Sequence, residues 1–207
     1  MSQYEFSNAW FAKYAKGIWE RYLPEIRPSR TLEIGSYEGQ STCFLIDALA
    51  SVQPVEIHCC DTWEGSIEHQ EAQTDMSMVE RRFRSNLALA MEKAQCPVDL
   101  HVHRGYSDDS LAKLIAGGKR NYFDFIYVDG SHQAPDVLSD AVLAFKLLKV
   151  GGIMGFDDYT WFAESLPYGK DPLRCPKPGI DAFVNLNMRK LDLMLVGHQL
   201  YLKKTAD

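Results

Sequence analysis

The sequence predicts an α/β fold: a seven-stranded, mostly parallel sheet with helices on both faces and a C-terminal antiparallel hairpin. Three observations carry that expectation. Short apolar runs alternate with segments of helical periodicity through most of the chain, the pattern of parallel strands joined by helical crossovers. Residues 122–128 are apolar apart from Asp124, as befits a central strand covered on both sides. The last two strand-like runs, 191–196 and 199–203, flank Gly197-His198, which reads as a hairpin turn.

The elements follow in order. Residues 5–23 place Trp10, Phe11, Tyr14, Ile18 and Tyr22 at helical spacing and end near Pro24, which predicts an amphipathic helix. Residues 30–35 form the first strand, 40–52 the helix behind it and 55–60 the second strand, with Asp61 at its end. A polar stretch, 64–75, precedes a helix over 76–95, and the alternation in 98–103 marks a third strand. Ser107 caps a short helix to Ile115, with Asp108 and Asp109 suited to its positive end. After the strand at 122–128, Pro135 fits the first turn of a helix that runs to Lys149 and stops at Gly151-Gly152. Residues 153–156 form a fifth strand closing on Asp157-Asp158, 160–179 read as a long loop, and 180–190 as the last helix.

The bulk properties narrow the classes. A chain of 207 residues with 46% hydrophobic residues suits one large domain with a buried core. A net charge of -6 argues against nucleic acid as a partner, since such proteins carry a basic footprint. The dense basic cluster Arg81, Arg82 and Arg84 lies beside Glu80 and reads as a solvated helix face. The five cysteines show no CxxC spacing, so neither a disulfide framework nor a zinc knuckle is indicated. With no secretory pattern and no apolar run of membrane-spanning length, a cytoplasmic protein without membrane association is expected.

In open α/β sheets ligands sit outside the carboxyl ends of the strands. Those ends carry Glu33-Ile34-Gly35, Asp61, Gly105-Tyr106-Ser107, Asp129-Gly130 and Asp157-Asp158. An acidic edge suits a ligand rich in hydroxyls and amines, or a metal cation, better than pyrophosphate. Gly35 and Gly39 permit a tight turn and close backbone approach. Tyr37 stands where the dinucleotide fingerprint GxGxxG needs its second glycine, and Glu33 would repel phosphate while attracting an ammonium group. The plain alternative is a strand-to-helix turn that needs two glycines. Asp61 is placed to accept hydrogen bonds from ribose hydroxyls.

Four segments together resemble a known family. Leu32-Glu33-Ile34-Gly35-Ser36-Tyr37-Glu38-Gly39-Gln40-Ser41 resembles the first motif of metal-dependent O-methyltransferases of the catechol type. Cys60-Asp61-Thr62-Trp63-Glu64-Gly65 resembles the second-strand motif of macrocin- and cephalosporin-biosynthesis methyltransferases. Phe123-Asp124-Phe125-Ile126-Tyr127-Val128-Asp129-Gly130-Ser131-His132 resembles their fourth-strand motif, and Leu147 to Gly152 with Phe156-Asp157-Asp158-Tyr159 their fifth. The resemblance implies a Rossmann-like class I methyltransferase that uses S-adenosylmethionine. It implies that Gly35, Tyr37 and Ser41 line the methionine end of the cofactor and that Glu33 and Gly39 shape that pocket. Asp61 would hold the ribose with Trp63 nearby, Ser107 would lie near the adenine, and Asp129 would sit between cofactor and metal.

In the metal-dependent relatives the positions of Asp129, Asp157 and Asp158 bind a divalent cation. Three carboxylates on neighbouring strands would repel one another, and Mg²⁺ or a similar ion would remove that conflict. The alternative is that Asp157 or Asp158 caps a turn and Asp129 contacts only the cofactor. His132 matches the position of a lysine base in catechol-type enzymes; a catalytic base, a metal ligand and a helix cap all stay open for it. The macrocin-type relatives carry a second Asp where this chain has Ser131. His58, His101 and His103 read as surface-facing or satisfied, with no zinc spacing, and His69 falls in the polar stretch after the second strand.

The expected activity is transfer of a methyl group to a hydroxyl of a small molecule. The first 28 residues would cap the site, with 64–75 and 160–179 as lids; Trp161, Phe162 and Tyr168 supply either an aromatic wall or a packed loop core. Rival readings are a metal-independent methyltransferase acting on nitrogen, carbon or a macromolecule, a nicotinamide oxidoreductase, and a non-catalytic cofactor-binding protein. The long loop and the first helix are the segments available for a homodimer.

Overall fold

The computed structural model describes residues 3–162 and 171–207. Among these, the strands form one seven-stranded sheet in the order β3-β2-β1-β4-β5-β7-β6. The chain falls into two compact units, Met1–Tyr106 and Ser107–Asp207.

The first unit contains α1 (Trp10–Tyr14), α2 (Lys16–Ile26), β1 (Arg30–Ile34), α3 (Gln40–Leu49), β2 (Val55–Asp61), α4 (Ile67–Glu71), α5 (Met76–Lys93) and β3 (Val98–Arg104). β1 pairs with β2 in parallel, and β2 with β3. The single N-terminal helix expected from the aromatic spacing is instead two, joined at Ala15, which is itself fully buried. The break lets Phe11 meet Trp19 edge-on at 4.9 Å and reach Phe44 of α3 at 5.3 Å. Pro24 lies inside α2 rather than ending it. So near the C-terminus the ring costs one helical bond, and Arg27 in the left-handed region (φ 44°) closes the helix by donating to the Leu23 carbonyl. The polar stretch 64–75 also holds a helix the periodicity did not reveal. α4 is one turn long, started by a capping box between Ser66 and His69.

The second unit contains α6 (Ser107–Ala116), β4 (Phe123–Val128), α7 (Ala134–Leu147), β5 (Leu148–Phe156), α8 (Lys177–Asn187), β6 (Leu191–Val196) and β7 (Leu200–Lys204). β4 and β5 pair in parallel; β7 pairs antiparallel with both β5 and β6. α7 stops earlier than its apolar spacing suggests, and β5 begins at once, with Leu148 opposite Phe123. The Gly-Gly pair therefore belongs to the strand. Gly151 takes φ 87° where the register shifts between Phe123 and Phe125, an irregularity that glycine accommodates. Asp124, the one charge in β4, is paired with Lys149. The last helix begins at Lys177, within the expected loop; Tyr168 lies outside the described residues.

Candidate functional site

In the first unit the loop after β1 is built by alternating left-handed residues: Gly35 (φ 83°), Tyr37 (φ 49°) and Gly39 (φ 77°). For tyrosine that conformation is uncommon and persists only when the surroundings impose it. Asp61, at the end of β2, imposes it. Its Oδ2 accepts from the Ser36 and Tyr37 N–H groups, both at 2.9 Å, and its Oδ1 accepts from the Trp63 N–H at 2.7 Å. The Trp63 indole then donates to the Tyr37 carbonyl at 2.9 Å. Trp63, itself at φ 51°, is buried against Phe83. Gly39 is required for a second reason, because a Cβ there would lie 2.7 Å from Leu87 Cδ1 and 3.0 Å from Phe83 Cδ2.

Glu33 lies beneath this loop with no solvent exposure. Its Oε2 accepts from the Ser36 and Thr42 hydroxyls, while its Oε1 is buried without a hydrogen-bond partner. Burial pushes its pKa up against those stabilising hydrogen bonds. A group held this way braces the loop from below. Two residues that carry no role in the sequence motifs complete the brace. Buried Glu38 accepts from the Ser7 N–H at 2.6 Å and from Arg82 at 2.8 Å, and Asn86 donates to the Glu38 and Glu5 carbonyls. Trp10 and His69 pack on Tyr37, the His69 ring stacked at 5.1 Å.

These bonds determine what the loop can bind. In a dinucleotide site the N–H groups of such a turn point at pyrophosphate. Here two of them, from Ser36 and Tyr37, are satisfied by a carboxylate. The loop is consequently an acid-backed platform and not a phosphate cradle.

In the second unit, Asp129 follows β4, and Asp157 and Asp158 follow β5. The antiparallel register of β5 with β7 sets Phe156 opposite Leu200. Continued two residues past the strands, it sets Asp157 against Gln199 and Asp158 against His198. Gln199 donates to Asp157 Oδ1 at 2.7 Å and contacts the Tyr127 hydroxyl at 2.8 Å, while Tyr201 donates to Gln199 Oε1 at 2.7 Å. Asp158 occupies φ 53° and has two imidazoles on its carboxylate, His132 Nε2 at 3.1 Å and His198 Nε2 at 3.3 Å. The His132 ring packs on Trp161 with centroids 4.0 Å apart. Burial, and next the Asp158 charge, hold the Asp157 pKa above its ordinary value.

The ligand atoms of Asp157, Asp158 and His198 all lie within 4.8 Å of one another. Asp129 stands outside that group, and His198, which the sequence reading used only as a turn residue, stands inside it. The β5–β7 register, which the sequence does not display, is what brings His198 and Gln199 to these carboxylates. Ser107 opens α6, and its side chain opposes the rise that burial imposes on the Asp140 pKa. No helix among the described residues is long and apolar enough to cross a membrane.

Comparison with known proteins accords with this geometry. Residues 32–159 match a family model described as a methyltransferase domain. Caffeoyl-CoA O-methyltransferase 1 of Eucalyptus globulus is 27% identical over 152 residues, covering 73% of this chain and 53% of that protein. A probable caffeoyl-CoA O-methyltransferase 3 of Dictyostelium discoideum is 31% identical over 78 residues, 38% of this chain and 30% of that one. The chain thus spans about half the length, or less, of these curated relatives. Among solved structures, an O-methyltransferase of Bacillus cereus in complex with SAH superposes with TM-score 0.62 at 21% identity, covering 98% of this chain and 84% of that one. TomG of Streptomyces achromogenes, in complex with SAM, gives 0.61 at 21% identity over 91% and 78% of the two chains. MycE of mycinamycin biosynthesis, in complex with Mg and SAH, gives 0.57 at 20% identity over 98% and 51%. These likenesses establish the shared fold, and the family match over more than half of its length places the chain in the methyltransferase-domain family.

Proposed function

We propose that this chain is an S-adenosylmethionine-dependent O-methyltransferase that methylates a hydroxyl of a small molecule, with a divalent cation. The observation that carries the reading is the loop of residues 35–41, whose N–H groups at Ser36 and Tyr37 are held by Asp61. That arrangement suits a cationic, phosphate-free cofactor. The named activities of the relatives and the SAM or SAH bound to TomG and the Bacillus cereus enzyme support the same choice.

When bound, S-adenosylmethionine supplies a methyl group activated on a sulfonium. The chain's part is to hold the donor, orient the acceptor oxygen and receive its proton. Gly35, Tyr37, Gly39 and Ser41 would shape the methionine end, with Glu33 setting the loop's height from below. Asp61 uses three of its roughly four acceptor positions on backbone, and the remaining capacity would meet a ribose hydroxyl. Trp63 would fix that edge, Ser107 would approach the adenine, and Asp129 would contact the cofactor from the end of β4.

Asp157, Asp158 and His198 are the set we assign to a cation. The fit rests on two adjacent carboxylates; burial and, after it, the Asp158 charge raise Asp157, a conflict that a positive ion relieves. The cation would lower the pKa of the acceptor hydroxyl. Two carboxylates suit Mg²⁺, and the imidazole makes Mn²⁺ the second ion to try. His132, oriented through Nε2 by Asp158, would take up the proton. Transfer to the acceptor oxygen would break the methyl–sulfur bond, whose electrons would stay with sulfur.

A specific observation favours a second reading. Asp158 already has two imidazole partners, so its oxygens are engaged without an ion, and the enzyme then needs no metal. Labelled S-adenosylmethionine offered with a panel of diols, sugars and phenols, with and without chelator, separates the two. Turnover lost in chelator and restored by Mg²⁺ or Mn²⁺ supports the cation; equal turnover in chelator selects the metal-free reading. No cofactor binding by calorimetry overturns both.

A further inference from the structure

We propose that Glu56, His58 and His101 form a zinc-binding site on the edge pair of strands in the first unit, separate from the residues assigned to methyl transfer. β2 and β3 pair in parallel, with Glu56 opposite Asp99, His58 opposite His101 and Cys60 opposite His103. Side chains two apart on a strand share a face. The register therefore gathers one carboxylate and two imidazoles on a single face, although the sequence separates the two strands by about forty residues and shows no metal-like spacing. The ligand atoms of Glu56, His58 and His101 all lie within 4.8 Å of one another.

Two imidazoles and one carboxylate, with water in a fourth position, are a set that zinc accepts in tetrahedral geometry. Ligands about 2.1 Å from such an ion stand roughly 3.4 Å apart. Glu56 Oε1 and His58 Nε2, at 2.8 Å, are already close to that spacing. His101 is the solvent-facing member of the set, its side chain 42% exposed. Neighbours also hold the rings as metal-bound imidazoles are usually held. His103 Nε2 lies 2.8 Å from His58 Nδ1, and Asp99 Oδ2 lies 3.1 Å from His101 Nε2. The three imidazoles are stacked, His58 on His101 at 4.4 Å and on His103 at 5.0 Å. Zinc would replace the proton shared by Glu56 and His58 and would cross-link the edge strand β3 to its neighbour, protecting a strand otherwise open to pairing with another chain.

The test uses untagged protein in saturating Mg²⁺. Zn²⁺ binding is followed by calorimetry and by the melting midpoint, and Co²⁺ is substituted for its tetrahedral visible absorption. We expect the wild-type protein and His198→Gln to bind zinc, with the midpoint rising by about 5–10 °C at a hundredfold excess over Kd. His101→Gln should lose affinity by on the order of 100-fold and lose the tetrahedral cobalt spectrum. Glu56→Gln, at a partly exposed side chain, gives the same test if His101→Gln unfolds. The proposal is overturned if wild-type protein binds zinc more weakly than about 0.1 mM. It is overturned equally if zinc is lost in His198→Gln but kept in the His101 and Glu56 variants.

Discussion

Replacing Asp61 by asparagine tests the construction of the cofactor loop with the smallest change in shape. The carboxylate accepts three backbone N–H groups, two on one oxygen and one on the other. Asparagine keeps one oxygen. In its best rotamer that oxygen retains the Ser36 and Tyr37 bonds, and the amide NH₂ faces the Trp63 N–H, donor against donor. One bond to a charged acceptor is lost, about 1.5–3 kcal/mol, and two fall from ionic to neutral strength, about 1 kcal/mol each. Asp61 is only half-buried, so water softens the loss, and about 3 kcal/mol is the expected cost. For a domain near 200 residues that lowers the melting midpoint by about 6–12 °C. If the cost falls on the loop geometry, S-adenosylhomocysteine affinity drops by up to about 100-fold. Thermal melts with calorimetric titration of S-adenosylhomocysteine read both quantities. A variant with the wild-type midpoint and the wild-type affinity would refute the idea that this carboxylate builds the loop.

Three further outcomes are expected. Gly39→Ala forces a left-handed alanine and a Cβ 2.7 Å from Leu87, a loss of about 2–4 kcal/mol; a chemical-denaturation midpoint equal to wild type would contradict it. Asp140 is buried in α7, and desolvation raises its pKa from 3.8 to about 7, with Asp136 and Asp108 adding to the shift and Ser107 opposing it. A carboxyl whose folded pKa lies above its unfolded value favours folding below about pH 4, and that contribution disappears as pH rises to 7. Asp140→Asn should therefore gain on wild type between pH 4 and pH 7, by up to about 4 kcal/mol, and hold that gain above pH 7; a difference independent of pH in urea unfolding would rule this out. His132→Ala should lower kcat by about 10²–10⁴ while leaving S-adenosylhomocysteine affinity unchanged, and a kcat within twofold of wild type would remove His132 from the proton transfer.

Local chemistry determined much of this protein. The order of strands and helices was legible because each strand is a short apolar run and each crossover has helical periodicity. Gly35 and Gly39 were legible as a tight turn, and Tyr37 as an obstacle to pyrophosphate, because those are properties of single residues and their immediate neighbours. The acids at the strand ends were likewise visible, as a strand's end can be read from its own composition. Local signals failed where packing overrides them: the first helix breaks at Ala15 to seat Phe11 on Trp19 and Phe44, and β5 begins at Leu148 because Phe123 lies opposite it. What only the tertiary structure decided is which residues meet. Asp61 reaches back to the backbone of the first loop, the β5–β7 register brings His198 and Gln199 to Asp158 and Asp157, and the β2–β3 register stacks His58 on His101. Strand pairing joins residues by their position along the ladder and not by their distance along the chain, so these partnerships exist only once the sheet has formed.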